Sequence, residues 1–249
     1  MFTIIKRLSL SILLILFCRS VFAQYPSGAD VLKKIDRNMT SRNRVITSKM
    51  IIHGRRGSRT ISSKSWVQGT EKSFTEYLAP AREKGTKMLK LEDNLWMYSP
   101  STDRTIQISG HMLRQSVMGS DLSYEDMMED PKLLDHYSAE VTGIDTIDQR
   151  KCWVVELTAT DKEMAYHFRK LWVDTVRNIP LKEELYAKSG KLLKNMDLKD
   201  VTFMDGRWYP KRMIFRDMLK KSEGTVFIVE TVEFDVDIPE YIFTKAALR

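Results

Sequence analysis

The sequence predicts a mainly β fold, in which one large antiparallel sheet curves strongly or forms an unclosed barrel, with a few α-helices. Apolar and polar residues alternate through most of the chain, which is the period-two pattern of half-buried strands. Turn-forming residues interrupt these runs at short intervals, and such short connections favour antiparallel neighbours. Helical spacing is limited to one segment near residue 30 and another between Gly110 and His136.

The first predicted element after the N-terminal region is a helix over Ala29–Asn38. Ser27 is a suitable N-cap, and Val31, Leu32 and Ile35 follow at spacings of three and four residues. We therefore expect a short helix here.

Alternation predicts roughly 11 to 13 strands in two groups. The first group is Val45–His53, Thr60–Gln68, Ser73–Leu78, Thr86–Leu91, Leu95–Ser99 and Thr105–Ser109. The second group is Ala139–Asp145, Lys151–Thr158, Tyr166–Asp174, Pro180–Tyr186, Lys194–Met204, Arg207–Arg216 and Thr225–Phe234. Asp205-Gly206 is a strong hairpin signal. Because no glycine-rich linker separates the groups, residues 24–249 are predicted to form one domain.

The alternation stops between Gly110 and His136, where helical spacing and several methionines appear together. Ser123–Asp126 resembles a capping box and predicts a helix start. Methionine suits surfaces that repack around variable apolar partners, so this segment could be a movable lid over the sheet. A fixed helix that plugs the open end of the half-barrel is the alternative. The candidate ligand contacts here are Met112, Met118, Tyr124, Met127 and Met128.

The first 23 residues have the pattern of a cleavable secretory signal peptide. Lys6 and Arg7 precede the apolar run Leu8–Phe17, which is shorter than the ~20 residues of a membrane-spanning helix. Cleavage after Ala23 is predicted, with a periplasmic mature chain of a Gram-negative bacterium. Arg19 leaves an uncleaved anchor as the alternative.

Removal of these 23 residues from the chain of 249 would leave 226 residues and lower the net charge from +7 to +4, because three basic residues and no acid are lost. Cys152 would be the single cysteine left, so no intrachain disulfide is expected. The densest basic groups are Arg55-Arg56 with Arg59, and Lys220-Lys221. We interpret them as solvated surface, with contact to anionic lipid headgroups as the alternative. Nucleic-acid binding is not expected.

No pattern typical of catalysis is present in the sequence. The four histidines, His53, His111, His136 and His167, are isolated from one another, and no nucleophile elbow, P-loop or dinucleotide motif occurs. The acidic group between Asp121 and Asp130 lacks the glycine and the ligand spacing of an EF-hand. We therefore predict no enzyme activity, no metal and no cofactor.

Apolar and aromatic residues on the predicted strands are the remaining candidates for function. They would fill the core of a closed sandwich, or part of them would line a ligand cavity in a curved sheet. A one-residue change of register exchanges the two faces, so alternation does not say which residues point inward. The strand candidates for cavity contact are Trp66, Phe74, Leu89, Leu91, Trp96, Tyr98, Trp153 and Trp172.

Several segments are similar to an uncharacterised branch of one family of exported proteins. They are Asn94–Pro100, Met118–Asp126, Lys151–Leu157, Lys170–Asp174 with Ile179-Pro180, and Ile238-Pro239 with Phe243-Thr244. With the order of elements, they resemble the outer-membrane lipoprotein-sorting protein family, the relatives of the LolA and LolB periplasmic carriers.

The resemblance implies an unclosed antiparallel β-barrel with helices over its concave face. It also implies a monomeric periplasmic carrier that binds acyl chains of lipoproteins or other lipids in a hydrophobic cavity for transfer toward the outer membrane. An inner-membrane transporter or an outer-membrane acceptor would be its partner. A periplasmic sensor of the envelope-stress type is the alternative. The family's carriers hold the lid with a basic residue on an early strand, a role not transferred here because Arg55, Arg56 and Arg59 are predicted to lie in a turn.

Overall fold

The computed structural model describes residues 25–54, 57–129, 132–162 and 164–249, so the predicted signal peptide lies outside the described residues. The first element is helix α1, Gly28–Met39, and Ser27 caps it as predicted, with its Oγ accepting from the backbone N–H of Asp30 at 3.1 Å. Val31, Leu32 and Ile35 are buried. No helix among the described residues is long and apolar enough to cross a bilayer.

Every strand expected from alternation is present. The strands are β1 Asn43–Gly54, β2 Gly57–Gln68, β3 Lys72–Ala79, β4 Lys87–Leu91, β5 Asn94–Ser99, β6 Arg104–Ile108, β7 Tyr137–Ile147, β8 Arg150–Ala159, β9 Phe168–Asp174, β10 Pro180–Tyr186, β11 Leu192–Met204, β12 Arg207–Asp217 and β13 Thr225–Phe234. At the turn between β11 and β12, Asp205 and Gly206 both have positive φ, 47° and 76°, as a type I′ hairpin requires.

All thirteen strands belong to one antiparallel sheet. Its order is β6-β5-β4-β3-β2-β1-β13-β12-β11-β10-β9-β8-β7, so two meanders, β1–β6 and β7–β13, are joined by the pairing of β1 with β13. The edge strands are β6 and β7, and within the described residues they do not pair with each other. The sheet is therefore an unclosed half-barrel, which confirms the predicted fold class.

The prediction that Arg59 lies in a turn is wrong. Strand β2 begins at Gly57, and Ile52 of β1 pairs with Arg59. The glycines and serines of this region suggested a longer turn, but Gly54 and Gly57 already pair with each other. Arg59 is thus a basic residue on an early strand.

Residues 110–129 and 132–136, here named the cover, connect the two edge strands. They form 3₁₀ turns at Gly110–Arg114 and Val117–Gly119 and two short helices, α2 (Tyr124–Met128) and α3 (Leu133–His136). The predicted capping box is present, with Ser123 and Asp126 bonded reciprocally to each other's backbone N–H. Met118 and Gly119, inside the second 3₁₀ turn, have positive φ, so this part of the cover does not continue as a regular helix.

The sheet has an inner, concave face and an outer face, and successive residues of each strand alternate between them. The cover packs on the inner face of the first meander, and α1 packs on the inner face of β7–β9. Residues 236–249, here named the C-terminal strap, pack on the outer face of the first meander through 3₁₀ turns at Glu240–Phe243 and Lys245–Leu248.

Candidate functional site

A cavity of about 270 Å³ lies between the inner face and the cover. Most of the side chains around it are apolar and come from β1–β3, β12, β13 and the cover. They are Met50, Ile61, Ser63, Ser65, Thr75, Tyr77, Val117, Leu122, Met127, Met213, Phe215 and Phe227. A lining of this kind favours a hydrocarbon ligand over a polar one.

The hydroxyl groups of the cavity wall are hydrogen-bonded to one another. Ser65 Oγ and Thr75 Oγ1 are 2.8 Å apart across β2 and β3, and Ser63 Oγ is 3.0 Å from Ser48 Oγ on β1. A buried hydroxyl that already has a partner does not require one from the ligand. The wall therefore presents no charged group and few free polar atoms to the cavity.

Two buried tyrosines contribute to the same apolar surface. The Tyr77 hydroxyl donates to Met88 Sδ at 3.4 Å, and the Tyr124 hydroxyl is 3.6 Å from Met97 Sδ. Burial raises the pKa of Tyr77 well above its usual range, and it also raises the pKa of Tyr124. Both rings stay neutral at physiological pH, so they behave as large apolar groups.

Asp121 attaches the middle of the cover to the hairpin between β12 and β13. Its carboxylate accepts from Thr225 Oγ1 at 2.8 Å, from Ser222 Oγ at 2.6 Å and from the backbone N–H of Asp217 at 3.1 Å. Only 3% of Asp121 is exposed. Hydrogen bonds to a buried charged group are among the strongest in proteins, so this is a firm attachment.

Asp126 and Glu129 make a second attachment, to β9–β11. Asp126 forms an ion pair with Lys194 and accepts from the Tyr166 hydroxyl, while Glu129 pairs with Arg169. Burial and, next, the Asp126 carboxylate raise the pKa of Tyr166 far above its usual range, so the phenol remains a donor.

Arg169 is itself almost fully buried on the inner face. It donates to Glu183 on the neighbouring strand at 2.9 Å and its guanidinium lies 4.8 Å from the ring centre of Tyr137. The inner face therefore has a charged middle, at β9–β11, that separates the apolar cavity from the apolar core under α1.

Toward the first meander the cover is held mainly by apolar packing and by contacts to its carbonyl oxygens. Arg59 donates to the carbonyl of Met118, and Lys90 Nζ donates to the carbonyl of Met128 at 2.9 Å. These contacts require no particular side chain on the cover, whereas those of Asp121 and Asp126 do.

A larger hollow of about 460 Å³ lies on the other side of the cover, against β11 and β12. Charged residues of both signs line it, including Arg114, Glu125, Asp217 and Lys220. Neighbouring residues of the cover divide between the two spaces: Val117 and Leu122 line the apolar cavity, while residues 116, 121 and 123 line the polar hollow. A hydrated polar space thus adjoins a dry apolar one.

The predicted candidates on the cover all lie on the inner-face side. Met127 lines the cavity, and the others pack into the apolar cluster around it. These are Met112, Met118, Tyr124 and Met128.

The predicted candidates on the strands lie elsewhere. Six of them, Trp66, Phe74, Leu89, Leu91, Trp96 and Tyr98, are on the outer face under the C-terminal strap. Trp153 packs under α1, with its ring 5.9 Å from that of Tyr25, and Trp172 lies on the outer face and donates to Asp145 at 2.9 Å. The strand residues that face the cavity have the opposite parity in the alternation, and they include Ile61, Thr75 and Tyr77.

Sequence reasoning did not find the residues that attach the cover. Asp121 belonged to an acidic group considered for calcium; in the structure Asp121, Asp126 and Glu129 of this group bind protein donors. Arg169 and Lys194 lie on the same face of their strands as buried apolar residues. A charged residue at a position where alternation predicts an apolar one is the sequence signal that could have identified them. Among the described residues no cluster of three or more His, Cys, Asp or Glu is arranged to hold a metal ion.

Comparison with known proteins assigns the family. A family model described as an uncharacterized protein matches residues 69–249. The chain belongs to this family. No curated protein matches the chain.

Solved structures with the same fold include one named as a LolA superfamily protein and one named for lipoprotein sorting. A LolA superfamily protein from Nitrosomonas europaea has a TM-score of 0.72 and 25% identity, covering 90% of this chain and 100% of its own. A putative outer membrane lipoprotein-sorting protein domain from Vibrio parahaemolyticus has a TM-score of 0.77 and 22% identity, over 89% and 97% of the two chains. A DUF1329 family protein from Desulfovibrio piger has a TM-score of 0.81 and 25% identity, over 89% and 98%. The resemblance seen in the sequence is confirmed.

Proposed function

We propose that this protein binds the acyl chain of a lipid or lipoprotein in the apolar cavity and carries it through the periplasm toward the outer membrane. The cavity itself carries the proposal, because it is apolar, lies under the methionine-containing cover, and has hydroxyls that are already paired. Each CH₂ group transferred from water to such a site contributes about 0.8 kcal/mol.

The size of the cavity favours one short chain in the closed state. A cavity of about 150 Å³ accommodates benzene, and this one, at about 270 Å³, is less than twice as large. A longer or second chain would require the cover to move away from the first meander. The methionines there can repack around a ligand, while Asp121 and Asp126 keep the cover attached on the other side.

The polar hollow beside the cavity suits the headgroup of an amphiphile. Its charged lining stays hydrated, and only the thickness of the cover separates it from the apolar wall. An amphiphile is divided in the same way, into a polar headgroup and an apolar chain. The proposed ligand is therefore an amphiphile rather than a wholly apolar molecule.

Uptake of a fluorescent fatty acid tests the proposal. The wild-type protein is expected to bind it with saturation, and Met127→Asp, which adds a charge to the cavity, should abolish binding while the sheet stays folded. Leu134→Asp is the matched control, because it adds the same charge to an exposed position of the cover. Equal binding by wild type and Met127→Asp would contradict the proposal.

A second variant covers the case in which Met127→Asp fails to fold. Met213→Trp fills the cavity from the sheet side and adds no charge, so it should fold and lose binding. Native mass spectrometry of the wild-type protein is expected to show a bound amphiphile that is absent from the Met213→Trp protein.

Export is part of the proposal and has its own test. The predicted signal peptide supports it, and the intact mass of the protein from a periplasmic extract should correspond to a chain that starts at Gln24. Recovery of the uncleaved chain in the membrane fraction would contradict a soluble carrier.

A further inference from the structure

Alternate turns of an antiparallel meander lie at the same end of the sheet. The turns β8–β9, β10–β11 and β12–β13 share one end, here named the basic end, and neighbouring hairpins are about 10 Å apart because strands are spaced by ~4.8 Å. These three turns contain more lysines than acids. The lysines are Lys162, Lys188, Lys191, Lys220 and Lys221, and the acids are Asp161, Glu163 and Glu223.

The opposite end of the sheet, here named the acidic end, has the reverse charge. It contains the turns β2–β3, β4–β5, β7–β8, β9–β10 and β11–β12. One arginine, Arg177, accompanies five acids in these turns, which are Glu71, Glu92, Asp93, Asp148 and Asp205. The turns β3–β4 and β5–β6 also lie at the basic end and contain two basic residues and two acids, so they do not change its balance. The turns at the two ends therefore have opposite net charges, and an anionic surface would orient the molecule with the basic end inward.

The basic end also exposes apolar side chains next to its lysines. Met218 and Leu219, at the tip of the β12–β13 hairpin, are 47% and 60% exposed, and Lys220-Lys221 follows them directly. Apolar side chains flanked by lysines are typical of segments that enter the headgroup region of an anionic membrane.

Exposed apolar residues alone do not select this end, because the acidic end has them too. Val176 is 71% exposed and Phe203 57% exposed in or beside its turns. The surrounding acids would be repelled by anionic lipids, so the sign of the charge decides between the two ends.

We propose that the basic end, with the hairpin Met218–Lys221 at its centre, docks on an anionic lipid bilayer. Leu219 and Lys220 also line the polar hollow beside the cavity. Docking would therefore bring the proposed headgroup space to the membrane surface, where an amphiphile enters or leaves. This inference extends the proposed function and is tested separately from it.

The hairpin is also connected to the cover. Lys220 Nζ donates to Ser116 Oγ at 2.6 Å and to the carbonyl of Ser120 at 2.9 Å. Lipid phosphates at the docked surface would compete for this ammonium group. Docking would thereby weaken one attachment of the cover at the place where the ligand is exchanged.

Co-sedimentation with vesicles tests the docking. Binding to vesicles of phosphatidylglycerol and phosphatidylethanolamine is compared with binding to phosphatidylcholine vesicles, so that any general apolar attraction cancels. The double variant Lys188→Gln/Lys221→Gln should lower the preference for anionic vesicles by about fivefold for each lysine removed, and salt should lower it further. Leu219→Ser should weaken binding to vesicles, and the remaining binding should still favour anionic vesicles over phosphatidylcholine vesicles.

Val176→Ser and Phe203→Ser are the matched controls, since they remove exposed apolar side chains from the acidic end. Both should bind vesicles as the wild type does. No preference for anionic vesicles, an unchanged preference in the lysine double variant, or an equal loss in the controls would each overturn the proposal. Fatty-acid uptake in solution, measured on the Lys188→Gln/Lys221→Gln variant, should remain normal, because neither lysine lines the cavity or the polar hollow. A failure of docking is thereby distinguishable from a failure of ligand binding.

Discussion

The two faces of the first meander are both apolar and both covered by another part of the chain, yet they are filled differently in the part of the chain that the structure describes. On the outer face, the strap places Phe243 and Leu248 against Phe74 and Leu89, all of them almost inaccessible to water. On the inner face, the cover leaves about 270 Å³ unfilled. A covered apolar face is therefore not by itself a binding site.

The two covering segments are also attached differently. The strap is held at its end, where Lys87 Nζ donates to the carbonyl oxygens of Ala247 and Arg249 at 3.0 and 3.3 Å, over a filled core. Along one side the cover is fixed by the buried Asp121 and the half-buried Asp126. On the other side it meets the first meander through apolar packing that includes several methionines, and through the contacts of Arg59 and Lys90 with its carbonyl oxygens. A cover that moves without detaching would need this arrangement, with polar attachments on one side and apolar contacts that can repack on the other.

The largest expected effect is on the outer face. Phe74→Ala should lower the free energy of unfolding by about 3–5 kcal/mol, because it removes a buried ring from a filled core. Urea denaturation measures this loss. Fatty-acid binding by the folded fraction should be unchanged, and a selective loss of binding without destabilisation would mean that the outer face, too, is a ligand site.

An intermediate effect is expected where the cover is attached. Asp121→Ala removes a buried carboxylate with three donors and should cost about 1.5–3 kcal/mol. The loss should concentrate in the cover, which hydrogen exchange would show as faster exchange of residues 116–129 than of β7–β9. Asp121→Asn keeps one acceptor oxygen, so its loss of stability should lie between zero and the loss caused by Asp121→Ala. Uniformly faster exchange over the whole sheet would indicate that Asp121 supports the global fold instead.

A smaller effect is expected from the paired hydroxyls of the cavity wall. Ser65→Ala combined with Thr75→Val removes both members of one hydrogen bond, so the free energy of unfolding should change by less than about 1 kcal/mol. Fatty-acid affinity should stay the same or rise. A large loss of affinity would show that these hydroxyls recognise the ligand.

The smallest effect concerns Cys152, which is buried and not in a disulfide. Burial raises the pKa of its thiol to about 11, so at pH 8 nearly all of it is protonated. Native protein should resist labelling by a maleimide, and unfolded protein should react. Because the thiolate forms only as the pH rises toward 11, labelling should accelerate with pH; rapid labelling at pH 7 would indicate that this part of the outer face opens.

Alternation and turn residues were sufficient to predict the strands, because period two and a pair such as Asp205-Gly206 are local properties. The capping box at Ser123 was local as well. The face that holds the cavity was not predictable, since Trp66 and Phe74 on one parity are as apolar as Ile61 and Tyr77 on the other. That choice depends on which covering segment lies on which face.

The attachments of the cover were hidden for a related reason. Asp121 contacts Thr225, and Glu129 contacts Arg169, across long stretches of chain. In its local sequence, each of these residues has the pattern of an ordinary surface charge or strand residue. Pairing of β1 with β13 brings them together, and that pairing has no local signature. The one indication of these attachments in the sequence was a charged residue at a strand position where alternation predicts an apolar one, as at Arg169 and Lys194.

The edge strands β6 and β7 are consecutive along the chain although they lie at opposite edges of the sheet. The intervening segment is thus a tether of fixed contour length. The half-barrel can widen only until this segment is fully extended, when its span is at most about 3.3–3.6 Å for each residue. Family members with insertions in this tether should admit bulkier cargo, and those with deletions should admit less.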